Sequence, residues 1–188
     1  MIHNCAMVLA TAWAKKGIIK LGELKSYQYG LELLLSTIVN LSIIFAISIL
    51  LESIVFFLFY LWTFIPIRLC AGGYHAKSHA ACITINAILF LIAIIIFQIL
   101  TPKLCLCSSV VSLVIILHFA PIQAKNKPLL EHERIRSRYT AICFTMAIVF
   151  FALFFYNTEL LNKPYIKAAF CGQISATLLM VFGKASIK

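Results

Sequence analysis

A chain of 188 residues that is 63% hydrophobic, with a mean hydropathy of +1.02, has more apolar side chains than one globular core can hide, since soluble domains run at roughly 45–50% apolar. The net charge of +10 comes with six glutamates and no aspartate, so any chemistry here must proceed without Asp. The cations flank apolar runs and form no continuous stripe, which argues against a nucleic-acid partner and for a membrane protein with a basic cytoplasmic side.

In chain order, the first 30 residues hold Lys15, Lys16, Lys20 and Lys25 around a short apolar patch. A cleavable leader runs charged, then apolar, then cleavage region, so none is expected. Residues 7–30 read instead as an amphipathic helix in the membrane interface, with lysines toward anionic headgroups and Trp13 at the apolar boundary. Six apolar passes follow, near 31–51, 53–67, 83–100, 104–122, 139–157 and 165–183, close to the roughly 20 residues that cross the hydrocarbon. Breakers at Thr101-Pro102-Lys103 and Asn162-Lys163-Pro164 separate passes three from four and five from six. Helices are the open structures that satisfy their backbone bonds in lipid. The expected fold is therefore all-α and polytopic: an N-terminal segment 1–30, one transmembrane domain 31–183 with a polar segment 68–82 inside it, and a tail 184–188.

One boundary is ambiguous, because Glu52 sits either inside one tilted helix or in the turn of a hairpin. Charge decides. With six passes and the N-terminus inside, thirteen of the sixteen Lys and Arg residues are cytoplasmic and only Lys103, Lys163 and Lys167 lie outside. A single pass over 31–67 inverts everything downstream and exports the basic residues of 125–138, against the positive-inside rule. Both ends are expected in the cytoplasm, with Arg68–Cys82 at the cytoplasmic face and Cys82 opening the third helix.

That polar stretch, "RLCAGGYHAKSHAAC", concentrates the chemistry. The seven cysteines are an odd number scattered over apolar runs, which suits small hydrophobes better than a disulfide framework. Cys82 is the candidate nucleophile, since a thiol beside a base or a positive field is activated far more readily than the hydroxyl of Ser78. It lies near a helix start, where the dipole favours an anion. Gly72 and Gly73 allow a tight turn and bring amide N–H groups within reach of a substrate carbonyl, as oxyanion stabilisation requires. Arg68 and Lys77 add positive potential suited to a carboxylate or a peptide backbone.

Two histidines compete as base. On a straight helix His75 and Cys82 lie about 10 Å apart along the axis, whereas a general base acts within ~3 Å. His79, three residues from Cys82, is nearer if the helix is continuous. His75 can serve if residues 73–80 fold back, which Gly-Gly permits, and spacing leaves both open. A different reading makes His75, His79 and Cys82, at i, i+4 and i+7, three soft metal ligands, in a small multi-pass transporter or metal-binding membrane protein; it lacks a fourth ligand. Cys105 and Cys107 read as core cysteines. Asn86 and His118 read either as orienting groups for an imidazole or as satisfied buried polar groups. Lys125–Arg138 reads as a loop, a topology anchor or a docking surface for an acidic peptide.

Arg68, the run Gly72-Gly73-Tyr74-His75-Ala76 and Cys82 resemble the signature of the AgrB (accessory gene regulator B) family, bacterial membrane endopeptidases of quorum sensing related to FsrB. Ala120-Pro121 followed by Asn126–Leu129 is a second correspondence, and the resemblance spans most of the chain. It implies a cysteine endopeptidase that cuts the C-terminal part from an AgrD-like precursor peptide and holds the rest as a thioester. An internal thiol or hydroxyl of the peptide then closes a thiolactone or lactone. It assigns His75 as base and Cys82 as nucleophile, with Arg68, Gly72 and Gly73 at family positions of no fixed role. It further implies a homodimer in the bacterial cell membrane, and no metal or other cofactor is expected.

Overall fold

The computed structural model describes residues 2–73, 78–122 and 131–186, without the side chains of 79 and 186. They are mostly helical, joined by short turns and links, in the order α1 (Ile2–Lys15), α2 (Leu24–Leu50), α3 (Ile54–Ala71), α4 (His79–Ile99), α5 (Pro102–Phe119), α6 (Glu131–Phe154) and α7 (Pro164–Ser186). Six of these segments, all but α1, are long and apolar enough to cross a membrane. This is the all-α, six-pass architecture that the apolar runs predict.

Local chemistry sets the boundaries. The amphipathic N-terminal helix exists but ends at Lys15, ahead of the expected residue 30. Gly17, at φ 70°, takes the left-handed position that closes it. Bonds from Ile18 N–H to Trp13 O and from Gly17 N–H to Ala14 O, both 3.0 Å, complete a Schellman motif. A 3-10 turn at Leu21–Glu23 then leads into α2. The break between helices that charge favours at Glu52 is present. Ser53 N–H bonds Ser48 O at 2.8 Å and Glu52 N–H bonds Ile49 O at 3.1 Å, the same motif with Glu52 at φ 52° in place of a glycine.

Helices run past their apolar stretches, α3 and α6 among them. α3 continues through Pro66 to Ala71, so Arg68 lies in its last turn and not in a loop. A cation there complements the negative end of the helix dipole, and membrane helices tolerate an internal proline. α6 starts at Glu131, which corrects the loop expected over 125–138: its second half is helix. Glu131 and Glu133 in the first turn favour that start. α5 opens on the breaker itself, with Pro102 in its first turn and Thr101 Oγ1 accepting from Leu104 N–H at 3.3 Å.

The chain forms two compact units, Met1–Ile47 with Ala76–Ala87, and Ser48–His75 with Ile88–Lys188. In the first, α1 is tied to α2 by His3 Nδ1 and Glu32 Oε1 at 2.8 Å, with Gln28 Nε2 donating to the same carboxylate at 3.2 Å.

In the second unit, α7 is the central helix, packed on α3 and α5, with α6 against α3 and α5. Lipid supplies no hydrophobic force between helices, so association relies on close packing and polar contacts. Both are present. A Cβ on Gly172 of α7 would collide with the Tyr60 carbonyl and Thr63 Oγ1 of α3, so glycine lets the two backbones approach. Thr63 Oγ1 donates to Ala169 O at 2.6 Å, and Ser109 Oγ donates to Gln173 Oε1 at 3.2 Å. Around fully buried Tyr60, Phe90 stands edge-on at 5.2 Å and Phe64 stacks at 5.3 Å.

Candidate functional site

Cys82 lies in the first turn of α4. Ser78, weighed from the sequence as a weaker nucleophile, accepts at Oγ from Ala81 N–H at 3.2 Å and at its carbonyl from Cys82 N–H at 3.1 Å. It is the N-cap that starts the helix. One turn on, Asn86 Nδ2 donates to Cys82 Sγ at 3.7 Å. Asn86 therefore serves the thiol, a partner that i, i+4 spacing from Cys82 encodes. His79 is the first residue of α4, which puts its backbone on the same turn of helix as Cys82. His75 and Lys77 lie outside the described residues, and so does the middle, residues 74–77, of the bend that His75 would need.

The other half of the motif belongs to the second unit. Gly72 caps α3 at φ 74° and Gly73 follows at φ 150°, backbone that favours glycine. Neither has room for a side chain: a Cβ on Gly72 would strike the Ile122 carbonyl, and one on Gly73 would strike the Arg68 guanidinium. Ile122 N–H donates to Ala71 O at 2.9 Å, beside a lone parallel bridge between Gly72 and Ile122. The structure thus brings Arg68, Gly72 and Gly73 together and adds Ile122, which no local sequence signal marks.

Elsewhere the cysteines divide. Cys105 and Cys171 are buried, Cys70 and Cys82 half-buried, and Cys5, Cys107 and Cys143 exposed, so only Cys105 of the C-x-C pair is a core residue. His118 is exposed, with Nδ1 3.3 Å from Val114 O of its own helix. The three-ligand metal reading needs His75, which lies outside the described residues; among those described, no three His, Cys, Asp or Glu side chains are grouped to hold an ion.

A half-buried thiol on the first turn of a membrane helix, with an amide donor one turn away, defines a small polytopic membrane protein with a candidate thiol site. The accessory gene regulator B (AgrB) family model matches residues 5–182, and the chain belongs to that family. It is 26% identical to the accessory gene regulator protein B of Staphylococcus saprophyticus over 159 residues, covering 84% of this chain and 81% of that protein. Identity to an AgrB-like protein of Clostridium beijerinckii is also 26%, over 89% of this chain and 80% of the relative. For the accessory gene regulator protein B of Staphylococcus lugdunensis it is 25%, over 81% and 80%. No solved structure matches the chain.

Proposed function

We propose that this protein is a membrane-embedded cysteine endopeptidase that cleaves an AgrD-like precursor peptide and cyclises the retained part. The observation that carries the reading is Cys82 on the opening turn of α4 with Asn86 Nδ2 3.7 Å from Sγ, inside the region matched by the family model.

Cys82 Sγ attacks the scissile carbonyl while His75 takes the thiol proton, and the carbonyl carbon becomes tetrahedral. Collapse breaks the C–N bond; His75 returns the proton to the leaving amine, and the N-terminal part of the peptide stays on Cys82 as a thioester. A thiol or hydroxyl within that part then attacks the thioester, closes the ring and releases the Cys82 thiol. For a peptide thiol this exchange is nearly balanced in energy, so the demand on the enzyme is to suppress hydrolysis, which a site at the membrane boundary favours by restricting water. The amide N–H groups at Gly72 and Gly73 are candidate oxyanion donors, and Lys77 adds positive charge. The distribution of cations favours a cytoplasmic side for both chain ends and for this site.

The test is co-expression with the cognate precursor, following its mass. Cys82→Ala and His75→Ala should abolish cleavage, and His79→Ala should retain most of it. Cleavage by Cys82→Ala refutes the mechanism. Cleavage lost with chelators, with metal retained on purification, favours the metal reading.

A further inference from the structure

Four helices converge where α3 ends. The chain leaving α5 through Ala120, Pro121 and Ile122 runs beside that end, and Ile122 N–H bonds Ala71 O at 2.9 Å. Ala71, Ala120 and Ile122 are buried. The Ile122 carbonyl fills the place of a Gly72 side chain. On the other face the Arg68 guanidinium, its Nη1 buried, fills the place of a Gly73 side chain, and the Leu179 carbonyl of α7 would lie 3.3 Å from a Cβ there. The strap is itself held. Ala120 N–H bonds Ile116 O at 3.0 Å, Arg138 Nη2 of α6 donates to Leu117 O at 3.1 Å, and Lys184 Nζ of α7 lies 5.9 Å from the Phe119 ring centroid.

A glycine pair after a helix ends it but leaves the exit direction of the chain free. Here both glycine faces are filled by the protein itself. We infer that the 120–122 strap and Arg68 form a clamp that fixes the direction in which the chain leaves α3 at Gly72-Gly73. Arg68 and Ile122 are thereby positioning residues for the peptide-processing reaction, with Arg68 acting on the backbone of Gly73 and not on substrate. The inference rests on the peptidase reading for its catalytic consequence, since Gly73 precedes His75 by two positions, but the clamp has a signature of its own.

The experiment uses the full chain in lipid nanodiscs with its cognate precursor, and kinetics are expressed per folded molecule. Arg68→Ala and Gly73→Ala should each lower kcat roughly 10- to 100-fold, the effect of a small misplacement of reacting groups, with KM unchanged within about twofold. The double variant should be no worse than the poorer single one, because both release the same contact. Hydrogen exchange at the Ile122 amide should be slow in the wild type and at least about tenfold faster in Gly72→Ala, whose Cβ evicts the Ile122 carbonyl. A raised KM with unchanged kcat for Arg68→Ala would make it a substrate ligand and overturn the inference; so would multiplicative losses in the double variant, or an unprotected Ile122 amide in the wild type. Cys82→Ala in the same assay keeps the two readings apart: its cleaving the precursor refutes the peptidase, while amide exchange still judges the clamp.

Discussion

Gly172→Ala tests the packing that positions α3. A Cβ at this site would overlap the Tyr60 carbonyl oxygen and Thr63 Oγ1 and stand 3.0 Å from the Tyr60 carbonyl carbon. Two of these three atoms belong to the α3 backbone, so no side-chain rotation relieves the clash. The helices must part by about an ångström to restore ordinary carbon contacts near 3.5 Å. Overpacking of that kind costs about 1–3 kcal/mol. The adjacent bond from Thr63 to Ala169, 2.6 Å long, would stretch as well, at a further cost of about 0.6–1 kcal/mol. The expected destabilisation is about 2–4 kcal/mol, read from reversible unfolding in mixed micelles as denaturing detergent is added. Gly30→Ala supplies the opposite sign: Gly30 is exposed within α2 with nothing within 4 Å of a new Cβ, so the same substitution should stabilise by about 0.5–1 kcal/mol. A Gly172→Ala protein as stable as the wild type would refute the close approach of α3 and α7.

Two further predictions concern the Glu52 turn and the thiol. Glu52 holds a left-handed conformation at φ 52°, which costs a non-glycine residue about 1–2 kcal/mol. Glu52→Gly should therefore raise stability by about 0.5–1 kcal/mol in the same unfolding assay, since glycine also loses more chain entropy on folding. Asn86 donates to Cys82 Sγ at 3.7 Å, and a hydrogen bond to a charged group is worth about 1.5–3 kcal/mol at good geometry. At this longer contact Asn86→Ala should slow formation of the acyl-enzyme about tenfold, measured by rapid quench with the precursor; an unchanged rate would separate Asn86 from the chemistry.

Much of the site was legible in order along the chain and little of it across the chain. Cys82 at the opening of a helix follows from its place between a polar stretch and an apolar run, and the structure puts it in the first turn of α4. Asn86 reads from the sequence as an orienting group for an imidazole or as a satisfied buried polar group, and its spacing of four from Cys82 marks the contact one helical turn away that the structure shows. The second apolar pass ends near residue 67 and leaves Arg68 in the polar segment, because hydropathy stops at the edge of the hydrocarbon, whereas helical hydrogen bonding does not, and α3 runs on to Ala71. The same reason explains why α6 begins at Glu131, ahead of its apolar run.

The sequence by itself determined the number of passes and the turn at Glu52, because both depend on quantities that add up along one dimension. Those are the length of an apolar run against the bilayer thickness and the side on which Lys and Arg accumulate. Only the tertiary structure decided what each glycine accommodates. Gly172 meets Tyr60 and Thr63, Gly72 meets Ile122, and Gly73 meets the side chain of Arg68. A glycine announces in sequence that something comes close; since helix packing pairs residues far apart in the chain, what comes close is written only in three dimensions.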